Sequence, residues 1–321
     1  MIESAIMNNY TGNKQSDITI FLEKHNLPSY PIDTEHQLNI IHKFLIERIP
    51  IQIPEDPLIY LFYAFSRAII YKDYYNYEQF LIIASDRGNV RAMYHLGYFY
   101  QYGGLINSFH KMIKYYLMAI NHNCIDSMYN LAIFYYEHGL IDLMKLNYEM
   151  AINLNDSRSM FALGLYYYEF NDFENMIKYW TQACDNDHIM AMDSLASYYQ
   201  SINDKDMMEK YYMMSVEKGS LTGMIGLGRY YQDTKDYDRM EQYLGMAIES
   251  GSGEAMMYYA IYFEQICDHE NTIKWYNLAI ENGWYDAVHN LNQYKGNIAV
   301  ELTQPYNCFY DDDFLIIENW I

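Results

Sequence analysis

Residues 157–188 read SRSMFALGLYYYEFNDFENMIKYWTQACDNDH, and residues 189–220 read IMAMDSLASYYQSINDKDMMEKYYMMSVEKGS. The two 32-residue blocks align without a gap. In both blocks methionine stands fourth, leucine seventh, a small residue eighth and tyrosine eleventh. A fixed period of this length is typical of helical-repeat arrays, in which each repeat is one supersecondary unit. This pattern therefore decides how the rest of the chain is interpreted.

The same unit recurs along most of the chain. Full units start at residues 58, 90, 125, 157, 189, 221 and 253, and a partial eighth unit starts at 285. Residues 58–304 contain no proline, which favours packed helices because proline in a helix interior costs about 3 kcal/mol. We expect three parts: an N-terminal helical cap segment over 1–57, a repeat array over 58–295, and an acidic, aromatic tail over 296–321. The tail fits a docked strand, a docked helix or a mobile segment.

Each unit divides into two helices, A and B, and positions are counted from the first residue of the unit. Apolar residues at positions 4, 7, 8 and 11 form one face of helix A, and those at 20, 23, 24, 27 and 28 form one face of helix B. Position 16 is Asp or Ser in six of seven units and predicts an N-cap for helix B. Position 31 is Gly, Asn or Asp and predicts a left-handed residue after helix B.

Small residues predict where the two helices meet. Position 8 is Gly or Ala in the six units from residue 90 onward, and a glycine inside a helix costs about 1 kcal/mol relative to alanine unless close packing requires it. We expect the small residue at position 27 to be its partner on helix B. Methionines at positions 4 and 20 are expected to fill the core rather than to form a soft binding surface.

The charge balance excludes several kinds of partner. The 321 residues include 21 Lys+Arg and 42 Asp+Glu, which gives 21 − 42 = −21 formal charges. Nucleic-acid binding and anionic membrane surfaces both draw on clustered Lys and Arg, so neither is expected. No run of about 18 apolar residues and no basic signal sequence occurs, so we expect a soluble, cytoplasmic protein.

Catalytic and metal-binding motifs are also missing from the sequence. The four cysteines stand singly, as reduced thiols do, and no His/Cys pair is followed by a second pair at zinc-finger spacing. No phosphate-binding loop, dinucleotide fingerprint or nucleophile elbow is present. We expect no enzyme activity, no cofactor and no metal. An enzyme would require a cleft of converging titratable groups that only a structure reveals.

The repeat resembles the tetratricopeptide family and, more closely, its Sel-like repeat (SLR) variant. The likeness rests on an L-G-x-x-Y core, as at 96–100, 163–167 and 227–231, followed by K-Y-Y-x-x-A-I at 114–120. It implies an all-α, right-handed α-solenoid whose helices A line a concave groove. The 32-residue period departs from the family's ~34. The abundance of Tyr, Asn, Ile and Met resembles proteins of giant DNA viruses, which would place the protein in a host cytoplasm.

The resemblance also implies a function and a site. In the family the groove binds a partner protein or peptide through positions 2, 5, 9, 12 and 13. Carried over to this sequence, these positions select Tyr94, Tyr98, Tyr129, Tyr136, Arg158, Phe161, Tyr168, Gln200, Arg229 and Gln232. The Lys/Asn set that clamps a C-terminal carboxylate in some members is absent at these positions.

Two other interpretations stay open at this point. The tyrosines could simply bridge neighbouring repeats. The protein could also be a self-assembling structural component, which would join copies through the solenoid ends or through the apolar residues 314–317 and Trp320 of the tail. The expectation that the repeats bind a partner protein is therefore one of three candidates.

Overall fold

The computed structural model describes residues 74–102 and 108–301, together with residues 60, 61 and 64. In this part of the chain there are fourteen helices and no strand, and the fold is an all-α solenoid of helix-turn-helix repeats. No helix of the described ranges has the length and hydrophobicity needed to cross a bilayer. The predicted cap segment over 1–57 and the residues 314–317 and Trp320 lie outside the described residues.

The helices are numbered in chain order and alternate between helix B and helix A. Their bounds are α1 Tyr74–Asp86, α2 Val90–Tyr102, α3 Phe109–Ile120, α4 Ile125–Glu137, α5 Ile141–Ile152, α6 Ser157–Glu169, α7 Phe173–Asp185, α8 Ile189–Ser201, α9 Lys205–Glu217, α10 Leu221–Asp233, α11 Tyr237–Glu249, α12 Gly253–Gln265, α13 His269–Glu281 and α14 Asp286–Glu301. Helices A are the even-numbered ones from α2 to α12. Helix α14 belongs to the partial eighth repeat and continues past 295, where we expected the array to end.

The observed helix starts confirm the period. Helices α4, α6, α8, α10 and α12 begin at the first residues of the units predicted to start at 125, 157, 189, 221 and 253. The residue at position 31 has a positive φ in all seven units, at Gly88, Asn123, Asn155, Asp187, Gly219, Gly251 and Gly283. A second left-handed residue, which the sequence reasoning missed, ends helix A at position 15, at Gly139, Asn171, Asn203, Lys235 and Cys267.

The chain forms two compact units, residues 1–163 and residues 164–321. In the first unit, α2 packs against α3 and α4 against α5. In the second, α8 packs against α9, α10 against α11 and α12 against α13. The methionines at positions 4 and 20 are buried in both units, which confirms that they fill the core: Met93, Met112, Met128, Met144, Met160, Met176, Met192, Met208, Met224, Met240 and Met256.

Glycine at position 8 makes room for a large side chain at position 24. A Cβ atom on Gly164 would lie 2.2 Å from Cδ1 of Trp180. The same contact would be 2.4 Å between Gly97 and Tyr116. The predicted close approach is therefore confirmed, and the nearest neighbour at these glycines is the ring at position 24. The ring at position 24 occupies the space because it reaches further across the interface than an alanine does.

Polar residues cap most helices as predicted. The side chain at position 16 accepts a hydrogen bond from a backbone N–H in the first turn of helix B at Asp172, Asp204, Asp236 and Asp268. Ser108 does not cap α3, because its hydroxyl donates instead to the carbonyl oxygen of Tyr100 at 2.8 Å. Position 32 caps helix A, a role that we did not predict, at Asn89, Asp156, His188, Ser220 and Ser252.

We expect Gly164→Ala to lower the free energy of unfolding by about 1–3 kcal/mol, because the added Cβ overlaps the Trp180 ring. The matched control is Gly245→Ala in α11, where an added Cβ meets nothing within 4 Å. That control should stabilise the chain by about 0.5–1 kcal/mol, since glycine costs helix stability. Urea unfolding followed by circular dichroism measures both variants. Equal effects of the two substitutions would contradict the packing argument.

Candidate functional site

In residues 1–163 the helix A face carries a stripe of tyrosines on α2. Tyr94, Tyr98 and Tyr102 follow one another at four-residue spacing, with ring centroids 6.3 Å and then 4.7 Å apart. Tyr98 is 46% exposed and Tyr102 is 58% exposed. Tyr94 is half-buried, and its hydroxyl accepts a hydrogen bond from Asn130. Tyr102 stands at position 13 and was missing from the predicted set, although the same positional rule selects it.

Arg158 joins two neighbouring repeats and is not free to bind a partner by itself. Its Nη2 atom lies 2.9 Å from Oδ1 of Asp126, and its Nε atom lies 2.9 Å from Oδ1 of Asp156. The guanidinium carbon also lies 5.1 Å from the ring centroid of Tyr129. Phe161 is buried. The structure thus places Tyr129, Arg158 and Phe161 in contacts within the repeats.

Tyr136 and Tyr168 are the predicted residues that α4 and α6 leave most accessible. Tyr136 is 39% exposed and Tyr168 is 47% exposed. The Tyr168 ring lies 5.7 Å from that of Trp180, at position 24 of the same unit. Both rings are therefore partly accessible to solvent, and the Tyr168 ring also contacts Trp180 of its own repeat.

A link between positions 12 and 24 occupies part of the helix A face. The hydroxyl of Tyr116 donates to Gln101 at 2.7 Å, and the hydroxyl of Tyr276 donates to Glu264 at 2.9 Å. Gln200 is exposed and accepts from Tyr212 at 3.3 Å in the same way. These amides and carboxylates hold the aromatic ring that fills the space beside position 8.

The remaining two predicted residues are engaged by the next repeat. Gln232 is buried and donates from Nε2 to Oε1 of Gln265 at 3.2 Å. Its own unit has leucine at position 24 and so offers no hydroxyl. The guanidinium of Arg229 lies 4.8 Å from the ring centroid of Tyr258. Both residues therefore contact the next repeat.

A pocket of about 370 Å³ opens on the helix A face of residues 164–321. It is formed by three successive helices A, α6, α8 and α10, with one ring from α7. Its lining residues are Leu165, Tyr168, Trp180, Asp193, Ser194, Ser197, Tyr198, Ser201 and Thr222. Six of these stand at positions 2, 5, 9, 12 and 13, the positions that the resemblance assigns to the groove. We call this hollow the Asp193 pocket.

Asp193 supplies the only carboxylate in the lining of that pocket. Its Oδ2 atom accepts a hydrogen bond from Ser220 at 2.7 Å, whereas its Oδ1 atom is buried and has no hydrogen-bond partner. No Lys, Arg or His of the described residues forms an ion pair with it. Burial raises the pKa of the Asp193 carboxyl, and the nearby hydroxyls of Ser215 and Ser220 oppose that rise.

One repeat exposes leucines on helix B. In the unit that starts at 125, leucine occupies positions 16, 19, 22 and 30, and positions 16, 22 and 30 are polar in each of the other six units. These side chains are Leu140, Leu143, Leu146 and Leu154, which are 46%, 40%, 51% and 37% exposed. We call them the leucine stripe. A comparison of the same position in all seven units is enough to find the leucine stripe, but we looked for a binding surface only on helix A.

Cys184 has a thiol of low reactivity. Burial, with smaller contributions from the carboxylates of Asp185 and Asp193, raises the pKa of this thiol to about 12, and Lys210 opposes the rise. A thiol of that kind stays protonated and is a poor nucleophile or ligand. Across the described ranges, no group of three or more His, Cys, Asp or Glu side chains is arranged to hold a metal ion.

Solved structures of helical-repeat proteins resemble the chain. The protective antigen c5321 of uropathogenic Escherichia coli, which displays an SLR fold, aligns at a TM-score of 0.57 and 16% identity over 88% of this chain. The chain spans 64% of the length of c5321. Yeast Tom70 aligns at a TM-score of 0.54 and 12% identity, over 92% of this chain and 67% of Tom70. No protein-family model and no curated protein matches the sequence.

At these identities the likeness concerns the fold alone. The architecture is that of SLR/TPR-type helical repeats, as the repeat pattern implied. Such folds hold many unrelated binding functions, so the function has to be argued from the side chains of the helix A face.

We expect Asp193→Asn to raise the melting temperature at neutral pH. A carboxyl whose pKa is raised by folding contributes stability below its unfolded pKa and loses that contribution as pH rises through the folded pKa. Asparagine keeps the acceptor for Ser220 without the buried charge. The difference in melting temperature between Asp193→Asn and the parent should therefore become smaller as pH is lowered. Thermal melts over a pH series measure it, and a variant that is less stable at every pH would contradict the argument.

Proposed function

We propose that the protein is a non-enzymatic interaction scaffold that binds a partner protein or peptide through its helix A faces. The observation that carries this proposal is that helices A expose tyrosines on α2, α4 and α6 and line an open pocket in residues 164–321. The proposal includes a cytoplasmic location, where single cysteines stay reduced, and excludes nucleic acid because of the −21 charge. The viral likeness rests on composition and carries no part of it.

Exposed tyrosines suit such a surface. Tyrosine combines a large apolar ring with a hydroxyl that tolerates water, and it is enriched in protein interfaces. Tyr98, Tyr136 and Tyr168 keep 46%, 39% and 47% of their surface accessible. Their rings lose little conformational entropy on binding, because two torsions describe the whole side chain. A partner segment would gain apolar contact area at each ring.

Replacing Tyr98, Tyr136 and Tyr168 together by alanine should abolish capture of a partner by the immobilised full chain. Loss of three exposed aromatic contacts is expected to cost at least about 3 kcal/mol of binding. Helicity should be unchanged, since none of the three is a core residue. Affinity capture followed by mass spectrometry compares the variant with the parent.

The matched control replaces Tyr74 and Tyr285 by alanine. These tyrosines are 57% and 75% exposed and lie outside the helix A positions selected above. Capture should persist in this control. Partners that bind the triple variant as strongly as the parent would remove the helix A face from the proposal.

A second candidate function is self-association through the leucine stripe. Leu143 and Leu146 lie three residues apart on α5, and Leu154 lies in the turn that follows this helix. A two-fold axis places the same stripe of two copies face to face, which makes an apolar stripe complementary to itself. The solenoid ends and the tail, where we first expected such contacts, are not needed for this arrangement.

If the stripe joins two copies, light scattering of the full chain should give a mass that rises toward a dimer with concentration. The variant Leu143→Lys/Leu146→Lys should stay monomeric. Because each copy carries −21 charges, association of the parent should strengthen as salt screens the repulsion. A parent chain that is monomeric at every concentration and salt level would remove this candidate.

A further inference from the structure

The Asp193 pocket holds a charge that the chain itself leaves poorly compensated. One carboxylate oxygen is bonded to Ser220, and the other is buried without a partner. Buried carboxylates ordinarily pair with a cation or with several donors, because removing the charge from water is costly. The described residues provide no cation, and the donors near the carboxylate are the hydroxyls of Ser220 and Ser215. A positive group from outside the chain would supply the compensation that these two neutral hydroxyls leave incomplete.

Asp193 also differs in type from the residues at the same position of the other units. Position 5 is aromatic or aliphatic in the other six units and is Asp only in the unit that starts at 189. In the same unit position 27 is Ser215, where the others have alanine. The pocket thus replaces an apolar core contact by a carboxylate with two hydroxyls nearby. The packing of the repeat does not require this change, since six copies do without it.

The walls of the pocket define the shape of the ligand. Leu165 and Tyr168 are 40% and 47% exposed, and the rings of Tyr168 and Trp180 lie 5.7 Å apart. Three serines also line the pocket. A lining that combines apolar side chains with one carboxylate fits an alkyl chain that ends in a cation, and aromatic rings also attract cations.

We propose that the Asp193 pocket receives one lysine or arginine side chain of the partner segment, with its alkyl stem against Leu165 and Tyr168 and its cation at Asp193. This inference rests on the proposed function and names the chemistry of the partner: a peptide with a basic side chain between apolar residues. The net charge of −21 favours the approach of such a segment.

A display library of random peptides tests the proposal on the full chain. Peptides are selected that bind the parent and fail to bind Ser197→Trp, which fills the pocket. These peptides should share one Lys or Arg. A selected lysine peptide and its norleucine analogue, which keeps the alkyl chain without the charge, are then titrated against the parent and against Asp193→Asn.

The parent should bind the lysine peptide at least about tenfold more tightly than the norleucine peptide, and Asp193→Asn should reduce this preference to about twofold or less. Asp206→Asn, which removes the same charge from an exposed site on α9, should leave it unchanged. Equal weakening of both peptides by Asp193→Asn would show that Asp193 only shapes the pocket, and would overturn the inference. Pocket-dependent peptides without a shared cation would also overturn it while leaving the helix A face as a binding surface. If no peptide depends on the pocket and none loses binding in the triple tyrosine variant, both proposals fail.

Discussion

The contact between a glycine or alanine at position 8 and a large side chain at position 24 sets the geometry on which the rest of each repeat depends. At Gly164 the Trp180 ring lies so close that a single added carbon would overlap it. Dense packing of this kind fixes the distance between helices A and B, because protein interiors do not adjust freely. Once the ring at position 24 is in place, its outer edge reaches the helix A face and meets position 12. The helix A face therefore takes its shape from the core contact beneath it.

This dependence explains why the sequence predicts the backbone but does not predict how accessible each candidate site residue is. The starts of helices A and the left-handed residues at position 31 follow from residue types that act locally, so columns of the alignment predict them. The exposed fraction of a side chain at positions 2, 5, 9, 12 and 13 depends on which neighbouring side chain contacts it. Gln232 is buried because its unit has Leu244 at position 24, which leaves the amide to the next repeat. Phe161 and Arg158 were selected by the same rule and are held within the repeats.

The oddities of composition have structural causes at identifiable positions. Methionine is frequent because positions 4 and 20 place it in the core of nearly every unit, where its flexible side chain fills irregular gaps. Tyrosine serves three purposes. At position 11 it stacks on the ring at position 23, as Tyr167 does on Tyr179 with ring centroids 5.6 Å apart. At position 24 its hydroxyl bonds to the side chain at position 12, and on the helix A face it stays exposed. Only the third group is available to a partner. Counting tyrosines along the sequence cannot separate the three, because all of them recur in phase with the repeat.

A residue that differs from those at the same position of the other units says more about function than a residue type that recurs in every unit. A residue type that recurs in every unit is explained by the packing that every unit shares, as at positions 4 and 31. A residue that breaks its column has no such explanation, and it costs stability where it buries a charge or exposes an apolar side chain. Asp193 does the first in the unit that starts at 189, and the leucine stripe does the second in the unit that starts at 125. Each of the seven units can be compared with the other six. The buried charge and the exposed leucines therefore point to two places at which binding of another molecule would offset the loss of stability.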